Sequence, residues 1–163
     1  MEESSPIRPP TAGGGSATAA ALCRGVCRLL AEHGFASVVE FSLANGRRAD
    51  IAALGRGGEI AIVEVKSSVA DFRADRKWPD YWDYCDRLYF AVGADFPQEL
   101  IPAECGLIVA DAFGAAILRE PPEARPLNPA RRRAVTLRFA RTAASRLRRL
   151  ADPDAIAVEP DLF

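Results

Sequence analysis

One histidine, His33, is all that the 163-residue chain contains. No Ser-His-Asp set can be assembled around it, and no glycine-rich loop of the P-loop kind is present to cradle a nucleotide. Cysteine is sparse too: Cys23, Cys27, Cys85 and Cys105 stand among apolar residues without Cys-x-x-Cys spacing. Cys23 and Cys27 can face one another at i, i+4 on a helix, but His33 is their one imidazole partner. Core thiols in a reducing cytoplasm are therefore expected rather than a zinc site. No apolar run approaches the length of a membrane span, so no membrane partner is expected. The first ten residues hold Glu2, Glu3 and three prolines and lack the basic region and apolar core of a secretory signal. The length allows one good core, hence a single domain with short appendages.

No sign of charge dominates, since the net charge is −1. That balance conceals an asymmetry, because residues 119–150 hold ten Arg against Glu120 and Glu123. A polyanionic partner responds to such a basic end and not to the net charge.

What is present reads as an ordered series. Residues 1–17 combine Pro, Gly, Ser and Thr and predict a disordered leader. Leu22, Val26, Leu29 and Leu30 mark the apolar stripe of a helix from Thr18 to His33, with Ser16 or Thr18 as cap and Gly34 as stop. Residues 36–44 predict a strand with Val39, Phe41 and Leu43 on one face and Val38, Glu40 and Ser42 on the other. Asn45-Gly46 and the glycines of 55–58 are turn signals, so the strands carrying Glu40, Asp50 and Glu64 form an antiparallel meander. Pro79 predicts the first turn of a helix ending near Asp86, after a shorter helical segment. That stretch supplies the crossover to a parallel strand, Leu88 to Val92. Residues 106–111 and 115–118 predict a last hairpin that completes a core of 18–119. Residues 120–129 hold four prolines and read as a linker, 130–150 as a basic helix packed on the core, and 151–163 as an acidic tail.

The third strand of the meander, Ile60 to Lys66, is apolar except for Glu64 and Lys66, which project from the same face. Burying two ionisable groups there is costly unless they pair or a metal completes the site. Asp50 and Glu64 together form an oxygen-rich site suited to Mg2+, and Lys66 can orient or help deprotonate a metal-activated water attacking a phosphodiester. A plain Glu64–Lys66 salt bridge is the alternative. Glu40 is either a further acidic member of the site or the solvated side of an edge strand.

Phe72, Trp78, Tyr81, Trp82 and Tyr84 are interleaved with Arg73, Arg76 and Lys77. Most of these rings read as core, while Arg76 and Lys77 are placed to contact phosphate. In the basic helix Phe139, Ala140, Ala143, Ala144, Leu147 and Leu150 fall on one side. The other side carries Arg131, Arg138, Arg141, Arg146, Arg148 and Arg149, which no acidic residue within the helix neutralises at i±4; it reads as a stripe for a nucleic-acid backbone, with a solvated face as the alternative. With Arg47 and Arg48 beside Asp50, the residues Arg76, Lys77, Arg138, Arg141, Arg146 and Arg149 make the candidate DNA-contact set.

The order helix, antiparallel meander carrying Asp and Glu-x-Lys, helix, strand resembles the core of the PD-(D/E)xK nuclease-like superfamily. Several stretches resemble, more narrowly, the bacterial MmcB-like DNA repair family. They are Gly46-Arg-Arg-Ala-Asp50, Glu64-Val-Lys-Ser-Ser68, Asp71-Phe-Arg-Ala-Asp-Arg-Lys-Trp78, Asp83-Tyr-Cys-Asp-Arg-Leu-Tyr-Phe90 and Ala130-Arg-Arg-Arg-Ala-Val-Thr-Leu-Arg-Phe139. The resemblance runs from about residue 18 to 150, and Ala49 stands where the superfamily usually has Pro. It implies an α/β fold with a restriction-endonuclease-like core: a mixed sheet with an antiparallel meander, flanked by helices. It also implies that Asp50, Glu64 and the Val65 carbonyl hold Mg2+ or Mn2+ and that Lys66 serves the water. A metal-dependent DNA endonuclease acting in repair and associated with the nucleoid is the expectation. A noncatalytic DNA-binding or adaptor module of the same fold is the alternative. The ending Glu159-Pro-Asp-Leu-Phe163 resembles the Gln-x-Asp-Leu-Phe peptides by which bacterial replication and repair proteins dock on the sliding clamp. Leu162 and Phe163 would be the inserted pair, and Glu159 replaces the motif's Gln.

Overall fold

Thr18 opens the first helix: its hydroxyl accepts a hydrogen bond from the Ala21 amide, and α1 runs Ala19–Glu32. The structure is a computed structural model and describes residues 18–154. The expected leader, and the end of the tail with Leu162 and Phe163, lie outside the described residues. Beyond Gly34, whose φ is +80°, come β1 (Ala36–Ser42), β2 (Arg48–Leu54) and β3 (Ile60–Lys66). Helix α2 (Val69–Ala74) and a 3-10 helix (Trp78–Tyr84) cross over to β4 (Arg87–Val92). Strands β5 (Gly106–Ala110) and β6 (Ala115–Arg119) and the long helix α3 (Pro129–Ala151) complete the described elements.

The six strands among the described residues lie in chain order in one sheet. Strands β3, β4 and β5 are mutually parallel, and the remaining neighbours are antiparallel. This is the mixed sheet with an antiparallel meander that the sequence predicts. On one face α1 packs Leu22, Val26 and Leu29 against Ile51, Val63, Val65 and Ile108. On the other, Phe41, Ile62, Leu88 and Phe90 meet Tyr81 and Tyr84 of the 3-10 helix and Val135 and Phe139 of α3. Covered on both sides, β3 is buried at every position, as strands with two packed faces are.

Three local expectations are corrected. The alternation along β1 changes phase: Val38 joins Phe41 and Leu43 in the core, whereas Val39 is 38% exposed. Glu40 is the cause, because its φ of +49° turns the strand over at that point. The segment after Pro79 is wound as a 3-10 helix, its side chains set by docking against β3 and β4. The apolar side of α3 is covered only in its first half, where Val135 and Phe139 are buried and Ala143 packs beside them. Ala140 is exposed, and Leu147 and Leu150 are 67% and 80% exposed. At about 1.5 Å per residue the helix outruns the edge strand β1 on which it lies.

The Pro-rich segment 120–128 carries no helix or strand and is anchored to the domain. The Arg125 amide donates to the Asp86 carbonyl at 3.0 Å and the Leu127 amide to the Asp86 carboxylate at 2.8 Å. The Arg125 guanidinium lies 4.2 Å from the centre of the Trp82 ring. Asn128 then caps α3 by accepting from the Arg131 amide, with Pro129 in the first turn.

Candidate active site

Asp50 and Glu64 sit where β2 and β3 part. The last bridged pair of these strands is Ile51 with Val63, and one residue further side chains replace the ladder. Asp50 Oδ2 accepts from the Val65 amide at 2.8 Å, and Glu64 Oε1 accepts from the Asp50 amide at 3.2 Å. Each carboxylate therefore satisfies a backbone donor on the opposite strand that the divergence leaves without a carbonyl. Meanwhile β3 stays paired with β4 as far as Lys66 with Val92, which fixes the position of Glu64 and Lys66.

Lys66 Nζ lies 3.5 Å from Glu64 Oε2 and 2.7 Å from Asp75 Oδ2. Asp75 directly follows α2, and Ser68 caps that helix by accepting from the Asp71 amide. The sequence alone leaves Asp75 out of the site, since no local periodicity connects positions 66 and 75. Tyr81 reads from the sequence as core; it is buried, but its hydroxyl donates to the Arg48 carbonyl at 3.0 Å.

Electrostatics follow from this geometry. Burial, then the field of Asp50, pushes the Glu64 carboxyl up to about 8, against the pull of Lys66 and the Asp50 amide. Burial also raises Asp50, with Glu40 and Asp71 adding to it, although the Val65 amide and Lys66 oppose the shift. For Lys66, burial favours the neutral amine, but the hydrogen bond to Asp75 and the fields of Glu64 and Asp75 outweigh it. The pKa rises and the ammonium stays charged. Burial raises Tyr81 as well, followed by the fields of Glu64, Asp75 and Asp50, so its hydroxyl remains a donor.

A cavity of about 710 Å³ opens at this point, lined by Glu40, Asp50, Val65, Lys66 and Asp71 from one side and by Cys23, Arg24, Cys27 and Arg28 of α1 from the other. Cys85 and Cys105 are buried core thiols, as expected. Cys23 and Cys27 are half-buried in the cavity wall, and the hydrogen bond between them lowers the Cys27 thiol while raising that of Cys23. Sequence reasoning misses Arg24 and Arg28, whose signal is the same i, i+4 spacing as that of the cysteines. Glu40 lies across from Asp50 on β1, lines the cavity, and pairs with Arg48 at 2.6 Å in an exposed bridge.

Among the described residues no three His, Cys, Asp or Glu side chains gather to hold a metal by themselves. The donors that suit a hard cation are the Asp50 and Glu64 carboxylates, with a backbone oxygen such as the Val65 carbonyl and water to complete the shell. Both carboxyls are shifted up, the direction a cation between them would reverse.

The candidate DNA-contact residues divide. Arg47 is engaged with Asp80, Nη2 to Oδ2 at 3.0 Å, and Arg48 with Glu40. Arg146 donates to the Val39 and Glu40 carbonyls, binding α3 to the turned segment of β1. Arg76, Lys77, Arg141 and Arg149 are exposed and Arg138 is half-buried. Arg131, on the same helix, lies 4.8 Å from the centre of the Tyr84 ring. The stripe is thus partly structural.

Fold and site together define a mixed α/β domain of restriction-endonuclease-like layout, with an acid pair and a lysine at the split between two strands. The family model described as DNA repair protein MmcB-like matches residues 7–154, and the chain belongs to that family. It is similar to the solved structure of SPO1766, a protein of unknown function from Silicibacter pomeroyi. The identity is 51%, the match covers 85% of this chain and 94% of that one, and the TM-score is 0.81. No curated protein matches the chain. No described helix is long and apolar enough to cross a membrane.

Proposed function

We propose that this protein is a Mg2+- or Mn2+-dependent DNA endonuclease acting in repair, with Asp50 and Glu64 as the metal ligands. The observation that carries the reading is the placement of Glu64 and Lys66 inside the otherwise apolar β3, with Asp50 facing them from β2 where the two strands part. A cation bound there supplies a Lewis acid for the phosphodiester and a water of lowered pKa. Lys66, kept protonated by Asp75, orients that water and steadies charge on the phosphate rather than taking a proton. Arg24 and Arg28 on the opposite wall of the cavity supply positive charge toward the DNA backbone.

One observation favours a noncatalytic DNA-binding module instead: the cluster is self-satisfied, each carboxylate holding a backbone amide and Lys66 held by Asp75. Incubation with nicked, flapped, branched and single-stranded DNAs in Mg2+ or Mn2+ separates the two. Metal-dependent cleavage lost in Glu64→Gln supports the enzyme, and binding without cleavage of any substrate supports the module. The proposed clamp contact of Leu162 and Phe163 is tested by titrating a peptide ending in Glu-Pro-Asp-Leu-Phe with the cognate clamp. Absence of binding even after Glu159→Gln removes it.

A further inference from the structure

Phe113 is 83% exposed, the most exposed large apolar side chain among the described residues. On a loose loop that would need no explanation, but the β5–β6 turn that carries it is built. Asp111 Oδ1 accepts from the Phe113 amide at 2.7 Å and the Gly114 amide at 2.9 Å, and the Asp111 amide donates to the Gly114 carbonyl at 2.9 Å. Arg28 of α1 donates to the Ala112 carbonyl at 2.7 Å and the Phe113 carbonyl at 2.9 Å. Helix and turn approach so closely that a Cβ at Gly25 would lie 2.2 Å from the Asp111 oxygen and 2.4 Å from that of Gly114. Glycine is what permits the contact. The turn is clamped at every residue while the ring at its tip faces solvent.

Arg28 also lines the cavity of Asp50 and Lys66, as does Arg24 one helical turn earlier. One side chain therefore both borders the candidate site and fixes the turn that displays Phe113. A rigid ring beside an exposed arginine, here Arg28, is the combination that holds a nucleobase by its face and an adjoining phosphate by charge. We propose that Phe113 is a stacking platform for an unpaired or terminal nucleobase, so that the preferred DNA carries a strand discontinuity beside the phosphodiester presented to Asp50. The proposal rests on DNA being the substrate. Inside an intact duplex both faces of every base are already stacked and the ring has nothing to add. At a gap, flap or overhang one face is open.

The test uses the full-length chain with gapped, overhanging and intact duplexes of equal length, each with 2-aminopurine at the junction or the matching internal position. Wild type is expected to bind the discontinuous DNAs more tightly and to alter the 2-aminopurine emission only there. Phe113→Ala should lose about five- to hundredfold of that preference, together with the emission change, while intact-duplex affinity and melting temperature stay as they are. Phe113→Tyr should retain the preference, and Gly25→Ala, which forces the turn off the helix with the ring still present, should weaken it. An unchanged preference in Phe113→Ala overturns the platform and leaves the DNA reading standing. Failure of wild type to bind any of the DNAs overturns both. A change of oligomeric state in Phe113→Ala with DNA binding untouched assigns the ring to a protein contact and overturns the platform as well.

Discussion

Arg132 holds Asp86 with both ends of its guanidinium, Nη2 2.7 Å from Oδ1 and Nη1 2.7 Å from Oδ2. The same buried carboxylate accepts from the amides of Ile60 at 2.7 Å and Leu127 at 2.8 Å, so β3, the linker and α3 meet on one anion. Burial would raise its pKa, but the Arg132 bond and the two amides outweigh that and hold it below the usual range. Asp86→Ala should cost about 3–5 kcal/mol, as removal of one partner from a buried pair does. The cost is read from the urea midpoint at constant m. Because the folded pKa is depressed, this stabilisation is complete above the ordinary carboxylate pKa and fades as pH falls through the folded value. An acid limb identical in Asp86→Asn and wild type would refute that assignment.

Glu64 acts in the opposite sense. With its carboxyl at about 8 in the folded chain against 4.5 ordinarily, the native state keeps a proton that the unfolded state has released between those values. Stability of the metal-free protein should therefore fall through this group as pH rises from about 4.5 toward about 8. Glu64→Gln should flatten that slope. Added Mg2+ should raise the melting temperature little at the acid end and progressively more toward the alkaline end, since the ligand must be deprotonated. A Mg2+ effect of equal size at both ends would exclude Glu64 as a ligand.

Asp50→Asn and Glu64→Gln should abolish metal-dependent cleavage and leave the fold intact, because each amide still offers an oxygen to the backbone donor it now serves. The alanine variants should lose the same activity and in addition about 1–3 kcal/mol of stability from the Val65 or Asp50 amide left unpaired. Lys66→Ala should lower turnover more than metal affinity. Titration calorimetry and single-turnover cleavage separate the two quantities.

On α3 the arginines should sort by what they touch. Neutralising Arg138 and Arg141 should flatten the slope of log affinity against log salt by about 0.7–0.9 for each phosphate that is no longer neutralised, without moving the melting temperature. Arg146→Ala should instead lower the melting temperature, because its guanidinium is bound to the Val39 and Glu40 carbonyls. The reverse pattern would mean that Arg146 leaves β1 when DNA is present.

Periodicity and turn chemistry are enough to place the sheet. The apolar stripe of α1, the Asn45-Gly46 turn and the i, i+2 pair Glu64 and Lys66 are local signals, and all three stand where the pattern puts them. What escapes depends on residues far apart in sequence. The turn-over at Glu40 leaves no mark, because a glutamate with positive φ reads like any strand residue. The end of the covered part of α3 is decided by where β1 stops. Asp75 joins Lys66 only through the fold, and Asp86 looks like a strand-edge residue although its partner lies 46 positions on.

The bonds of α3 to the rest of the domain also bear on the order in which the protein can be made. Arg132 reaches the Gly58 carbonyl as well as Asp86, and Arg146 reaches β1, so α3 completes contacts whose other halves leave the ribosome far earlier. Until residue 146 has emerged, the Glu40 segment beside Asp50 lacks its clasp and Phe41 lacks the Phe139 ring that packs 6.0 Å from it, centre to centre. A chain stopped before residue 139 thus carries Asp50 and Glu64 on an unfinished frame.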